Sequence, residues 1–137
     1  MALLGYTMFR DEVLTGKKCQ TIRRLRKRPI RKGEQLYHYW HLRRKDCEEI
    51  GTSFCRGTFF ITISRPANLW RIDRHNEPST VSGRTMLDDE ALDLAKRDGF
   101  RDVASMVEVL SMLHGKDALD GETVFQVVRW GKLEKAV

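Results

Sequence analysis

Residues 16–23 read Gly16-Lys17-Lys18-Cys19-Gln20-Thr21-Ile22-Arg23, and this stretch predicts the first turn from helix to strand. Just before it, Phe9, Val13 and Leu14 recur at helical spacing. Glycine suits the end of such a helix because it adopts the left-handed backbone that the turn requires. Residues 19–23 then read as a short strand. Because side chains alternate along a strand, Lys18 and Thr21 are expected on opposite faces, unless the alternation slips near the turn and brings them to one cleft.

Outward from this stretch, the chain alternates short strands with helices in a single predicted domain spanning residues 1–137. We expect further strands at 2–6, 35–41, 52–64 and 122–130, the last of these closing the chain. Residues 42–51 read as a loop, and residues 66–87 as an inserted excursion rich in helix and strand breakers. Helices are predicted at 88–98 and, capped by Asp102, from 103 to 113. Since few strand pairs have a helix between them, the pattern predicts an α+β fold, a small β-barrel with flanking helices.

Basic residues are concentrated in the first third of the chain. Residues 17–45 contain twelve lysines and arginines and a single acid, Glu34, whereas the rest of the chain is acidic in balance. Such a block on an otherwise acidic domain indicates a polyanionic partner, most plausibly nucleic acid. A solvated basic loop that only aids solubility is the alternative interpretation.

Cysteine usage and hydropathy point to a cytoplasmic protein without a cofactor. The chain has three cysteines, no CxxC pair and no leader that resembles an export signal, which favours free thiols in a reducing cytosol. The spacings of these cysteines and of the four histidines match no zinc motif. No apolar run approaches the ~18 residues of a membrane span. We therefore expect no metal, no cofactor and no membrane partner.

The stretch at 16–23 resembles the ASCH family, a branch of the PUA-like β-barrel fold. The family signature G-x-K-x-x-[E/T]-x-R is met by Gly16, Lys18, Thr21 and Arg23. Three later features are similar to the family as well, and the resemblance spans roughly residues 5–130. They are the turn Lys32-Gly33-Glu34, the step Arg97-Asp98-Gly99-Phe100 between two helices, and the closing Val128-Arg129-Trp130.

The resemblance implies a PUA-like barrel that acts on RNA or RNA-derived nucleosides. Some small bacterial members are amidohydrolases that remove the acetyl group of N4-acetylcytidine, some are ribonucleases, and others only bind RNA. Carried over by position, the catalytic residues are Lys18, Thr21 and Asp98. Asp98 departs from the family, which has a glutamate at that position.

These three residue types suit amide hydrolysis. A threonine hydroxyl becomes a nucleophile when a base removes its proton, and a lysine is such a base when burial and neighbouring cations lower its pKa. Asp98 would hold the lysine or protonate the leaving amine. The alternatives are that Lys18 binds a phosphate or forms a structural salt bridge with Asp98, and that Thr21 is an ordinary strand residue.

The predicted partner is single-stranded RNA or a modified nucleoside. Arginine binds phosphate through two hydrogen bonds, and an aromatic residue beside basic residues suits the stacking of unpaired bases. The predicted nucleic-acid contacts are Lys17, Arg23, Arg24, Arg26, Lys27, Arg28, Arg43, Arg44, Lys45 and Tyr39. A regulatory RNA-binding module without catalysis is the alternative function.

Overall fold

The computed structural model describes residues 1–66, 69–78 and 83–136, and its main feature is a curled mixed sheet that forms a half-barrel. The strands are β1 (Ala2–Tyr6), β2 (Gln20–Arg24), β3 (Gln35–Trp40), β4 (Glu48–Ser64), β5 (Arg71–His75), β6 (Arg84–Thr85), β7 (Phe125–Trp130) and β8 (Glu134–Lys135). The helices are α1 (Arg10–Thr15), α2 (Asp88–Arg97) and α3 (Val103–His114), and a 3-10 turn spans Lys116–Leu119.

Strand β4 has 17 residues and organises the sheet because its two halves pair with different neighbours. Its first half lies between β3 and β8, and its second half lies between β7 and β5. The register with β7 shifts between Cys55 and Gly57. A bulge of this kind bends a strand and increases its twist, which lets one strand belong to both halves of the curl.

The open seam of the half-barrel lies between β1 and β2. β1 pairs in parallel with β3, and β2 pairs antiparallel with β7. β1 and β2 are therefore the two edge strands that face each other across the opening. Arginine side chains bridge the gap: Arg23 Nη2 donates to the Gly5 carbonyl at 2.6 Å, and Arg26 Nη2 donates to the Leu3 carbonyl at 2.9 Å. Guanidinium groups therefore bind the main-chain acceptors that a neighbouring strand would otherwise bind.

Two apolar clusters fill the molecule. One lies inside the curl, where Leu4, Leu36 and Trp130 pack together with Val13 of α1. The other lies between the sheet and helices α2 and α3, and includes Phe125. β2 runs between the two clusters, and its first three residues are buried. This position places the 16–23 stretch at the junction of both clusters.

Helices α2 and α3 begin at the predicted residues and end within one residue of the predicted ends, but the apolar faces of the helices are covered unevenly. Gly16 ends α1 with φ 83°, and the Asp102 carboxylate accepts from the Ser105 amide at 2.8 Å at the start of α3. Leu87 is 66% exposed because it precedes the first turn of α2, and Leu113 is 61% exposed in the last turn of α3.

Several predicted boundaries need correction. Residues 42–51 are only partly a loop, since β4 already begins at Glu48. β7 is followed by the short strand β8, which pairs with β4 at Gly51 and Thr52. Within 66–87, residues 67–68 and 79–82 lie outside the described residues, and the remainder contains β5 and β6, which pair antiparallel.

The observed fold is α+β with a partial barrel. None of the helices in the described ranges is long and apolar enough to cross a membrane.

Candidate functional site

A cavity of about 280 Å³ contains all three residues predicted to be catalytic, Lys18, Thr21 and Asp98. It opens between the segment that follows β1, the start of β2 and the end of α3. Its remaining lining residues are Gly5, Tyr6, Thr7, Met8, Phe9, Ile22, Arg23, Phe100, Val109, Leu110, Leu113 and His114. Lys18 precedes β2, which begins at Gln20, so strict strand alternation does not apply to it. This is why Lys18 and Thr21 reach the same cavity.

Lys18 and Asp98 form a buried ion pair at the base of this cavity. Lys18 Nζ donates to Asp98 Oδ2 at 3.0 Å and to the Asp98 carbonyl at 2.6 Å, and the two residues are 3% and 5% exposed. The turn after Gly16 positions the lysine, whose amide donates to the Glu12 carbonyl at 2.8 Å. The Cys19 amide donates to the Arg97 carbonyl at 3.0 Å, which ties the end of α2 to the same turn.

Burial lowers the pKa of Lys18 below its ordinary value, because removing an ammonium group from water disfavours the charged form. The Asp98 carboxylate acts in the opposite direction by attraction and by its hydrogen bond. The Arg23 cation lowers the pKa further. Lys18 therefore has a larger neutral fraction at a given pH than an exposed lysine, which a general base requires.

Aromatic side chains enclose the ammonium group. Lys18 Nζ lies 5.5 Å from the ring centroid of Phe9 and 5.9 Å from that of Tyr6. Phe9 adopts φ 64°, an uncommon backbone for a non-glycine residue, and its ring meets Phe100 edge-on at 5.0 Å. Gly99 has φ 100°, and a Cβ there would lie 3.1 Å from the Phe9 ring. The step between α2 and α3 thus needs glycine both for its backbone and for the close approach of Phe9.

Thr21 is held by Arg23. Its Oγ1 accepts from Arg23 Nε at 3.0 Å, while Arg23 Nη2 is bound to the Gly5 carbonyl. Thr21 is 4% exposed. Among the described residues no hydrogen bond joins Lys18 Nζ to Thr21 Oγ1. Since the threonine oxygen accepts from a cation, its own proton is left to be taken by a base.

Gln20 is a site residue that the sequence analysis did not single out. Its Nε2 donates to Asp98 Oδ1 at 3.2 Å and to the Leu94 carbonyl at 2.9 Å, and its Oε1 accepts from Arg129 Nε at 2.9 Å. Gln20 therefore connects the carboxylate to α2 and β7. Its place at the start of β2, two residues after Lys18, was the signal that could have identified it.

A buried chain of hydrogen bonds lies behind Tyr6. The Tyr6 hydroxyl and His38 Nδ1 are 2.8 Å apart, and His38 Nε2 lies 2.7 Å from Ser53 Oγ. Burial, then Arg23 and Lys18, lower the pKa of His38 to about 4. A neutral imidazole has one donor and one acceptor nitrogen, so it satisfies both hydroxyl groups at once. Burial raises the pKa of Tyr6, because the charged form of a tyrosine is the deprotonated one.

A larger cavity of about 630 Å³ adjoins the first one, and Gly5, Tyr6, Thr7 and Arg23 line both. Four of the predicted nucleic-acid contacts line this larger cavity, which we call the arginine cavity: Arg23, Arg26, Arg43 and Arg44. The structure thus brings arginines from two separate loops and from β2 to the mouth of the site.

The other predicted contacts lie elsewhere. Lys27 and Arg28 line a third cavity of about 320 Å³, which Arg26 lines as well. Arg24 Nη2 donates to the His114 carbonyl at 2.9 Å, on the α3 side. Lys17, Tyr39 and Lys45 also lie outside the lining of the arginine cavity. Lys45 is exposed on the turn before β4. Lys17 lines a shallow cavity beside Arg97, and Tyr39 is half-buried on the face of β3 opposite His38.

No three His, Cys, Asp or Glu side chains within 1–66, 69–78 and 83–136 are grouped as metal ligands would be. Comparisons of the chain with protein-family models, with curated proteins and with solved structures find no match. Its function has therefore to be inferred from the chemistry of its own residues.

Proposed function

We propose that the chain is a cytoplasmic member of the ASCH family with a PUA-like barrel, and that it hydrolyses the amide of an N4-acyl cytidine, free or within RNA. One observation carries the proposal. Lys18 and Thr21 line a single small cavity with Asp98, which lies 80 positions from Lys18 along the chain. These are the three residues that the resemblance assigns to catalysis.

The cavity suits a nucleobase with a small acyl group. Ligand pockets for drug-sized molecules measure about 300–1,000 Å³, so a cavity of about 280 Å³ fits a fragment of a nucleotide. Its walls combine the aromatic rings of Tyr6, Phe9 and Phe100 with a few polar groups. Flat apolar walls bind a base, and the buried polar groups act on its substituent.

In the proposed reaction Thr21 is the nucleophile and Lys18 is the base. Neutral Lys18 takes the hydroxyl proton while Thr21 Oγ1 attacks the acyl carbon, and the C=O electron pair moves to the acyl oxygen. The hydrogen bond from Arg23 Nε favours the negative charge on Thr21 Oγ1 as its proton leaves. The carbon–nitrogen bond then breaks, and the amine leaves with the proton from Lys18. Water hydrolyses the acyl-threonine, which releases the carboxylic acid and regenerates the hydroxyl group.

Asp98 is assigned the role of positioning Lys18. The family has a glutamate here, which is one methylene longer. The aspartate still contacts the ammonium group at 3.0 Å, because Lys18 also bonds to the main chain of the same residue at 2.6 Å. Gln20 holds the second carboxylate oxygen. These contacts support an aspartate as a substitute for the longer acid.

Variants of Thr21 and Lys18 test this reaction. Wild type, Thr21→Val, Thr21→Ser and Lys18→Met are incubated with N4-acetylcytidine, and cytidine and acetate are followed by chromatography. We expect kcat to fall about 10²–10⁴-fold in Thr21→Val and in Lys18→Met, as for loss of a nucleophile or a general base. Thr21→Ser keeps a hydroxyl at the same position, so it should retain most of the activity.

Thermal melting of each variant separates loss of chemistry from loss of folding. The reaction is ruled out if wild type releases acetate neither from N4-acetylcytidine nor from a short RNA that carries one acetylated cytidine, or if a folded Thr21→Val is as active as wild type. Fragments of a short single-stranded RNA that appear only when Lys18 is present would instead indicate a ribonuclease.

The second candidate is a non-catalytic module that binds single-stranded RNA. The observation that favours it is the run of adjoining basic cavities, in which Arg26 lines both the arginine cavity and the third cavity with Lys27 and Arg28. Contacts to about six phosphates predict a slope near −4 for log K against log[salt]. A nearly salt-independent affinity for RNA would contradict this candidate.

A further inference from the structure

The arginine cavity beside the candidate active site has an unbalanced charge. Arg23, Arg26, Arg43 and Arg44 line it, and its lining within the described part of the chain includes no carboxylate. Arginines held together without an acid repel one another. Burial and then the charge of Arg23 lower the pKa of Arg26, and Glu34, which does not line the cavity, acts in the opposite direction. An anion in the cavity would relieve the repulsion and take hydrogen bonds from planar guanidinium groups.

Two of these arginines are already held in place on the seam side. Arg23 bonds to the Gly5 carbonyl and to Thr21 Oγ1, and Arg26 bonds to the Leu3 carbonyl. Long side chains lose conformational entropy when a ligand immobilises them. Because these two guanidinium groups are already bound to the protein, an anion that contacts them requires less ordering.

The other wall of the cavity is a tight turn with an uncommon backbone. His41 and Arg43 adopt φ 48° and φ 69°. The His41 amide donates to the Tyr6 carbonyl at 2.9 Å, and the Arg44 amide donates to the His41 carbonyl at 3.0 Å. Left-handed backbone at non-glycine residues is concentrated at functional sites. Here the turn carries Arg43 and Arg44 to the mouth of the cavity, next to the strand that leads into the smaller cavity.

We propose that the arginine cavity binds a phosphate group of the substrate, so that the site acts on a nucleotide, free or within a strand, in preference to a nucleoside. This inference rests on the proposed function, since it names the substrate class of the same site. The base and its acyl group occupy the smaller cavity. The phosphate lies beyond the shared wall formed by Tyr6, Thr7 and Arg23.

Binding of cytidine compounds tests the phosphate site without any turnover. Dissociation constants are measured by calorimetry for cytidine, cytidine 5′-monophosphate and cytidine 3′-monophosphate. The proteins compared are wild type, Arg43→Gln/Arg44→Gln and Arg56→Gln. Arg56 is an exposed arginine of β4 that lines neither of the two adjoining cavities, so it controls for loss of charge.

We expect one monophosphate to bind wild type at least about tenfold more tightly than cytidine does, as one charge-assisted hydrogen bond permits. The preference should fall in Arg43→Gln/Arg44→Gln, which keeps only Arg23 and Arg26 in the cavity, and it should be unchanged in Arg56→Gln. If cytidine binds as tightly as both monophosphates, or neither monophosphate binds, the inference is wrong. A preference that is undiminished in the double variant overturns it as well.

Hydrolysis assays on the same proteins keep this inference separate from the proposed function. If N4-acetylcytidine is hydrolysed but phosphate confers no preference, the function stands and the phosphate site fails. If a monophosphate is preferred but no acyl compound is hydrolysed, the phosphate site stands and the function fails. A short RNA with one acetylated cytidine shows whether the phosphate comes from a strand, since such a strand would then bind more tightly than either monophosphate.

Discussion

His38 is a fully buried titratable residue behind the candidate site, and it is neutral in the folded protein. It contacts Tyr6 and Ser53, and the cations Lys18 and Arg23 add to the effect of burial on its pKa. Protonation would place a third positive charge beside these two. The neutral ring therefore lets the protein keep Lys18 and Arg23 close together.

This environment predicts a pH-dependent loss of stability. The pKa of His38 falls from 6.5 to about 4 on folding, so the unfolded chain takes up the proton first as the pH falls. Stability is therefore lost between about pH 6.5 and 4, by about 3 kcal/mol at pH 4 relative to pH 7. His38→Gln keeps hydrogen-bonding capacity but does not titrate. Urea unfolding measures the free energy of unfolding of both proteins at pH 7 and at pH 4. Between these pH values the free energy of His38→Gln should fall by about 3 kcal/mol less than that of wild type. An equal fall in the two proteins would contradict the assignment.

At the scale of elements, one glutamine links three of them. Gln20 of β2 bonds to Asp98 and to the Leu94 carbonyl at the end of α2, and to Arg129 of β7. β2 and β7 are also joined by main-chain pairing, and the Cys19 amide bonds to the Arg97 carbonyl at the end of α2. Gln20 adds a buried side-chain link among the three elements and fixes the direction of the Asp98 carboxylate.

Replacing Gln20 should affect both stability and activity. Gln20→Leu leaves a buried carboxylate oxygen and a guanidinium N–H without their partner, which should lower the free energy of unfolding by roughly 3 kcal/mol. Activity per folded molecule should also fall, because Asp98 no longer positions Lys18. Chemical denaturation and steady-state kinetics measure the two effects.

Gln126 provides a matched control for that variant. It is also a buried glutamine of the sheet, with 2% exposure, and it bonds to the main chain of Ile30 and to Thr58. Gln126→Leu should lose a comparable amount of stability while its folded fraction stays fully active. If both variants lose activity equally, Gln20 has only a structural role.

For the whole molecule, the open seam is the feature that defines the half-barrel. β1 and β2 are joined there through arginine side chains, at Gly5 and Leu3. An ordinary strand pair would place main-chain groups at this position. Because side chains take their place, the seam presents positive charge to solvent next to the candidate site.

The seam predicts a local effect for one substitution. Arg26→Met removes the donor to the Leu3 carbonyl, so we expect a loss of about 1 kcal/mol in the free energy of unfolding. Amide protons of β1 should exchange with solvent faster than in wild type. Lys27→Met removes a charge from the next, exposed residue and should leave β1 unchanged. Unaltered exchange in Arg26→Met would show that β1 does not depend on this bridge.

Local sequence patterns predicted the separate elements well. The glycine at 16 ends α1, Asp102 caps α3, and the strands at 2–6 and 35–40 lie close to their expected bounds. These features depend on neighbouring residues alone, through backbone preference and capping. The missed start of β4 at Glu48 and the missed β8 are different. β8 is held by pairing with β4, far earlier in the chain, and the first residues of β4 pair with β3 across the turn that joins them. Polar residues at a strand end carry little local signal.

The sequence by itself determined the alternation of short strands and helices, the concentration of basic residues and the identity of Lys18, Thr21 and Asp98 as candidates. Only the tertiary structure decided that Asp98 reaches Lys18, that Gln20 holds the carboxylate, and which arginines of the basic block meet at one cavity. The physical reason is that these contacts join residues as much as 80 positions apart. Their distances follow from how β4 bends and where the seam lies, which no local pattern specifies.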